Sequence, residues 1–304
     1  MSICKVETFY DSIKKYTNVA DVTKRAKLEA EYLNKACGSI ASLKRYFTMY
    51  RNYLKSKIGT QKLIEKQSLL ALLLSILTLD EKQQSEFKTA HHAEISHGQR
   101  NLRKIYDVEK YLSTAVGLLS AISVYDKILG IAALTGRRPA EIACSAVLAP
   151  IANNDYAALF SGQLKAKDRI DIVPYEIPLL YEHLPITKAL TSVREAKPQF
   201  LNKPLLFNST ASGELGVRVK RHFTGLIEGD IQAKNLRAIY ALLSFDEFNK
   251  QSNDGYVTIS MNSYFSKVLG HSENDVVTCG SYIDFCLPTQ RNDSEPPRVY
   301  TRGI

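Results

Sequence analysis

The chain has 304 residues, 45% of them hydrophobic, and a formal net charge of +9. That is enough for two domains with ordinary cores, and it excludes a disordered chain. The longest apolar stretch, Leu69 to Leu79 broken by Ser75, is too short to cross a bilayer, and the N-terminus lacks a signal peptide's apolar core, so a cytoplasmic protein with no membrane partner is expected.

Five cysteines (Cys4, Cys37, Cys144, Cys279, Cys286) are odd in number and contain no C-x-x-C pair, which argues for reduced thiols and against a disulfide framework or zinc ribbon. The patch His91-His92-Ala93-Glu94-Ile95-Ser96-His97 lacks the i, i+4 histidine spacing of helical zinc enzymes, and no metal or other cofactor is expected. The positive charge is uneven. Residues 1 to 100 hold 17 Lys/Arg against 10 Asp/Glu, whereas the remaining 204 hold 23 against 21. The first third is therefore the electrostatic handle for a polyanion.

Apolar residues recurring at three and four predict helices over Val6 to Tyr16, Val22 to Ala36, Ile40 to Ile58 and Gln61 to Leu79. In the third of these, Leu43, Phe47, Tyr50 and Leu54 form the stripe to be buried. Lys44, Arg51 and Lys55 share a neighbouring face, suited either to a DNA backbone or simply to solvent. Residues 80 to 106 lose the apolar period and gather Gln, His, Ser and Gly, which sets a boundary near residue 104. Their basic end, with Arg100, is a further candidate phosphate contact.

Beyond it, helices are predicted at Val108 to Ile122, Val124 to Leu134 and Ala140 to Val147. Two short strands, Tyr156 to Leu164 and Ile170 to Val173, are joined by a turn carrying Lys165 and Lys167. Helices follow at Ile186 to Glu195, Gly213 to Leu226, Gln232 to Leu243 and Ser260 to Leu269. The fold class is mainly α with a small antiparallel sheet, divided into a helical N-terminal domain (1–104) and a catalytic domain (105–304).

Several dispersed polar elements carry the chemistry. In Leu134-Thr135-Gly136-Arg137-Arg138-Pro139-Ala140-Glu141-Ile142, Gly136 suits a left-handed helix end and Pro139 a helix's first turn, leaving two arginines between helices. Downstream come Lys234-Asn235-Leu236-Arg237, Leu269-Gly270-His271 and Ser281-Tyr282-Ile283. Together they supply what metal-free phosphoryl transfer needs: cations for nonbridging oxygens, an imidazole and a hydroxyl nucleophile.

These boxes, in this order, resemble the tyrosine recombinase superfamily, and within it the hairpin telomere resolvases, or protelomerases. The features that point to that branch are Gly136-Arg137-Arg138, Phe160-Ser161-Gly162-Gln163 followed by Lys165, Tyr175-Glu176-Ile177-Pro178, and lysine at position 234. The resemblance spans about residues 107 to 285; the first third matches only by position and helicity. The chain ends about twenty residues beyond Tyr282, so recognition of flanking sequence is expected to rest on the first third.

The resemblance implies that Arg138 and Arg237 grip the scissile phosphate. Lys165 protonates the departing 5′ oxygen, with Lys167 as the fallback. Lys234 and His271 complete the cage, and Tyr282 attacks to give a 3′-phosphotyrosyl bond without ATP. Arg137, Lys167, Lys44, Arg51, Lys55 and Arg100 are expected to touch DNA. The implied partner is double-stranded DNA with an inverted-repeat target, bound by a homodimer that closes each end into a hairpin, and the gene is expected on a phage or plasmid of a bacterial host. Tyr264 and Tyr300 are rival nucleophiles. A tyrosine integrase, a type IB topoisomerase and a DNA-binding protein with a decayed recombinase domain are the competing functions.

Overall fold

The structure, a computed structural model, describes residues 3–16, 18–58, 64–164, 173–251, 259–270 and 282–288. The chain divides into two compact units, Met1–Glu94 and Ile95–Ile304.

The first unit packs α1 (Ile3–Ile13), α2 (Val19–Ala36), α3 (Ile40–Ile58) and α4 (Ile64–Ile76) around one core. The stripe expected on α3 is buried: Leu43, Phe47, Tyr50 and Leu54 meet Val6 and Phe9 of α1, Ala26 and Leu33 of α2 and Leu73 of α4. One carboxylate shares this interior. Glu29 accepts from the Tyr50 hydroxyl at 2.7 Å and from Arg25 at 2.8 Å, so a group that would be costly alone ties α2 to α3 instead.

The polar stretch in which the apolar period is lost is α5 (Glu81–Arg100), 20 residues long. Its start explains it. Asp80 Oδ1 accepts from the Gln83 N–H at 2.7 Å while Gln83 Oε1 accepts from the Asp80 N–H at 3.2 Å, a reciprocal cap ahead of a run rich in Glu, Gln, Lys and Ala. The division between the units falls within this helix.

The second unit is built on α7 (Val124–Thr135), in which every residue from Ile128 to Thr135 is buried. Around it pack α6 (Val108–Leu119), α9 (His183–Ala196), α10 (Pro204–Phe223) and α11 (Asn235–Gln251), with α8 (Pro139–Cys144) and α12 (Met261–Leu269) at its C-terminal end. The expected helix to Val147 stops at Cys144, and Val147 opens a strand that the apolar period does not reveal. β2 (Val147–Ile151), β3 (Asn154–Ser161) and β4 (Tyr175–Pro178) form an antiparallel sheet in that order, with Leu148 opposite Phe160 and Phe160 opposite Tyr175. Pro150 disguises β2, and it is tolerated because β2 is an edge strand. The second expected strand, Ile170 to Val173, lies almost wholly outside the described residues; β4 begins just after it. Helix α10 starts nine residues before the expected Gly213 because Pro204 fits a first helical turn.

A second, two-stranded sheet pairs β1 (Arg103–Lys104) in parallel with β5 (Phe285–Cys286). Arg103 N–H donates to Asp284 O at 2.9 Å and Ile105 N–H to Cys286 O at 3.0 Å, and the Arg103 guanidinium lies 4.3 Å from the centre of the Phe285 ring. This fixes the chain two residues past Tyr282. Among the described residues, no helix is long and apolar enough to cross a membrane.

Candidate active site

The arginine box takes the shape its residues dictate. Thr135 ends α7 by donating its hydroxyl to Ile131 O at 2.7 Å, and Gly136 turns the chain with φ of 66°. A side chain at 136 would be strained twice, since a Cβ there would also collide with the Tyr240 ring. Tyr240 is pinned by its hydroxyl to Pro178 O at 2.7 Å. Pro139 then opens α8, as expected.

Arg138, at the N-terminal edge of α8, is partly exposed. Its backbone N–H donates to Glu141 Oε2 at 2.9 Å and its Nη1 to Glu141 Oε1 at 2.6 Å. Glu141 is fully buried. Burial alone would push its carboxyl up, but Arg237, Arg138 and the Arg138 backbone N–H outweigh burial and hold it below the ordinary carboxylate value. Reading the sequence assigns Glu141 no role. The available signal is its place three residues after Arg138, where a carboxylate caps a helix and reaches back to the preceding residue.

Arg237 projects from the first turn of α11 and is 5% exposed. It donates to Gly136 O, and to Leu269 O at 2.6 Å, thereby joining the arginine box to the end of α12. Its buried Nε has no hydrogen-bond partner among the described residues. Burial, reinforced by Arg137 and Arg138 and opposed by Tyr282 and Glu141, lowers its pKa to about 10, so it remains cationic at neutral pH. The guanidinium carbon lies 5.7 Å from the centre of the half-buried Tyr282 ring. Arg138 is paired with Glu141, and Arg237 and Arg137 act on it electrostatically, leaving an excess of positive charge beside a phenol.

Arg137, expected to touch DNA, is 1% exposed. Its Nε donates to Thr135 O at 3.0 Å, Nη1 to the Tyr175 hydroxyl at 2.6 Å and Nη2 to Val268 O at 2.6 Å, and its guanidinium lies 4.6 Å from the Phe160 ring centre.

The rival Tyr264 is taken up by the core. It is buried, donates to Ser244 O at 2.9 Å, packs on Phe245 and Phe248, and burial raises its phenol pKa. Lys234 is exposed immediately before α11, one helical turn ahead of Arg237. Lys165, Lys167, His271 and Tyr300 lie outside the described residues, as does the Arg100 side chain. In the first unit, Lys55 is exposed, Lys44 Nζ sits 3.7 Å above the Phe87 ring, and Arg51 donates to Thr78 Oγ1 at 3.0 Å and Thr48 Oγ1 at 3.2 Å. The basic segment after Arg100 is similarly engaged, with Arg103 donating to Asp230 O at 2.6 Å. Among the described residues, no group of three or more His, Cys, Asp or Glu is placed to hold a metal ion.

A mainly helical domain thus gathers guanidinium groups from two separate boxes beside a phenol. The chain belongs to the telomere resolvase family: residues 101–285 match the family model described as the telomere resolvase ResT/TelK catalytic domain. Solved structures agree on the fold. Protelomerase TelA, in selenomethionine form and covalently complexed with substrate DNA, is 22% identical with a TM-score of 0.82 over 95% of this chain and 89% of that one. An arginine-to-alanine mutant of TelA complexed with DNA hairpin product is 23% identical with a TM-score of 0.80, again over 95% and 89%. Protelomerase TelK complexed with substrate DNA is 17% identical with a TM-score of 0.61 over 92% and 62%. No curated protein sequence matches the chain.

Proposed function

We propose that this chain resolves replicated telomeres: it cuts double-stranded DNA at an inverted-repeat site through a 3′-phosphotyrosyl bond and rejoins each end to itself as a covalently closed hairpin. The single observation that carries the reading is the family match over residues 101–285, the region that contains both arginines of the site and Tyr282.

The chemistry follows from the side chains. A phenol is a weak nucleophile, with an ordinary pKa near 10, and needs help at the phosphorus and at the leaving oxygen. Arg138 and Arg237 hold the nonbridging oxygens and stabilise the charge that builds on them; the excess positive charge around Glu141 suits this task. Tyr282, beside Arg237, attacks in line. Lys165, or failing it Lys167, protonates the departing 5′ oxygen, and Lys234 and His271 complete the contacts to phosphate. The phosphotyrosyl bond conserves the energy of the phosphodiester, so a 5′ hydroxyl from the opposite strand of the same end can reverse the step and seal a hairpin. A homodimer would supply one Tyr282 per strand of the inverted repeat.

DNA recognition outside the cut site would fall to the first unit, chiefly through Lys44 and Lys55. The solved complexes support this reading, since TelA is captured both covalently joined to substrate DNA and with a hairpin product. The test is incubation with a palindromic duplex followed by a denaturing gel. Snap-back hairpins at twice the single-strand length of each arm are expected. Exchanged flanks would instead indicate an integrase, and relaxed circles without hairpins a topoisomerase.

A further inference from the structure

We infer that Arg137 is a positioning residue for strand cleavage: packed on Phe160 and hydrogen-bonded to Tyr175, its buried guanidinium fixes the C-terminal end of α12 against the arginine box. This inference rests on the strand-cleavage reading above.

The end of a helix leaves carbonyls without partners, usually met by water or by the following turn. At the end of α12 three successive carbonyls accept from side chains of other elements. Val268 O takes Arg137 Nη2 at 2.6 Å, Leu269 O takes Arg237 Nη2 at 2.6 Å, and Gly270 O takes Gln163 Nε2 at 2.7 Å. Two of the donors are cations at the negative end of a helix, where charge and dipole agree. Gly270 itself turns left-handed with φ of 66°, and a Cβ there would collide with the Tyr175 hydroxyl. The partners of Arg137 are thus packed against the glycine from which the chain departs toward His271 and, eleven residues after that, Tyr282.

Energetics point away from a purely structural role. A buried cation is expensive to desolvate, and apolar residues of similar size fill such sites with equal or better stability. What an arginine adds is directional: its planar fork sets three hydrogen bonds in fixed relation, here to the end of α7, to β4 and to α12. Phe160 and Tyr175, edge to face with ring centres 5.5 Å apart, keep that plane from rotating. The Phe160, Gln163 and Tyr175 positions that mark the telomere resolvase branch in the sequence therefore converge on one buried brace. Because the chain is fixed again two residues beyond Tyr282 by the β1–β5 pairing, the brace and that pairing bound the segment that carries the nucleophile.

The experiment is single-turnover cleavage of a nicked suicide duplex by the full chain, comparing wild type with Arg137→Lys and Tyr175→Phe. Wild type must first form the covalent adduct; if it does not, the strand-cleavage reading fails and the brace is not at issue. Given an active wild type, the rate constant should fall by about 10²-fold in Arg137→Lys, as expected for a misplaced reacting group. In Tyr175→Phe, which deletes only a hydroxyl, it should fall by about 10-fold, and the two losses should be less than additive when combined because they act through one hydrogen bond. DNA affinity and its salt slope should be unchanged. A variant that only loses folded enzyme would give a smaller adduct amplitude at an unaltered rate constant, and that result overturns the inference. A salt slope reduced by about one unit would make Arg137 a phosphate contact and overturn it equally. Should Arg137→Lys fail to fold, Tyr175→Phe decides alone, with a rate constant within about twofold of wild type counting against the brace.

Discussion

The Arg237 guanidinium stands 5.7 Å from the centre of the Tyr282 ring while its Nη groups reach back to Gly136 O and Leu269 O. One residue thus touches the arginine box, the end of α12 and the phenol. Arg237→Lys keeps a charge but loses the fork, and its cleavage rate constant should drop by about 10²- to 10³-fold, the range for removing one oxyanion donor. DNA affinity should change by less than about threefold. Gel-shift titration alongside single-turnover cleavage separates the two quantities.

Arg137, Arg138 and Arg237 crowd one carboxylate, and burial with like charge lowers Arg237 to about 10. Holding that cation costs stability without a bound anion and should be relieved by one. Sulfate or vanadate at a hundred times its dissociation constant should stabilise wild type by about 2.7 kcal/mol. For a chain of this size that is an upward shift in Tm of several degrees. Arg237→Met should melt no lower than wild type without anion and gain less from it. Thermal melts with and without vanadate check both statements.

Glu141 is the anion the three arginines share. Its folded-state pKa is lowered below the ordinary 4.5, so the stability it contributes is present above 4.5 and is lost as pH falls through the folded-state value. At pH 7, Glu141→Gln should cost on the order of 3–5 kcal/mol by leaving buried cations without their counter-charge. The difference between wild type and the variant should narrow below pH about 4.5. Urea midpoints measured from pH 7 to pH 3 follow that gap directly.

In the first unit, Arg51 is tied to Thr78 and Thr48, whereas Lys55 is exposed and Lys44, also exposed, holds its ammonium 3.7 Å over the Phe87 ring. Replacing Lys44, Arg51 and Lys55 together with Ala should flatten the salt dependence of DNA binding, by about one unit of slope for each phosphate that is no longer neutralised. It should leave the cleavage rate of prebound suicide substrate unchanged. Of the three single substitutions, Arg51→Ala should alter the slope least. Binding isotherms at several salt concentrations measure it.

The helical character of both units and the small sheet were legible because apolar period and turn residues agree along most of the chain, as with the Leu43, Phe47, Tyr50, Leu54 stripe and the Gly136–Pro139 junction. Helix α5 was not, because its sequence is mostly polar and its clear start signal is the Asp80–Gln83 cap. Strand β2 was hidden by Pro150, whose edge position cannot be known before the sheet is assembled. In the site, the boxes could be placed in order from sequence, and Tyr264 is set aside by its burial. The burial of Arg137 could not be read: adjacent arginines look alike until packing sends one inward to Val268 O and leaves the other at the helix edge with Glu141. Glu141 was overlooked for a related reason, since an isolated carboxylate in a helix's first turn usually serves as a cap alone.

The measurement that bears most directly on the site is mapping the covalent bond formed on a nicked suicide duplex, by proteolysis of the trapped adduct and mass spectrometry of the DNA-linked peptide. The expected result is a single linkage at Tyr282 through a 3′ phosphate, absent from Tyr282→Phe. A linkage at another residue, or an adduct that persists in Tyr282→Phe, would contradict the assignment of the nucleophile beside Arg237.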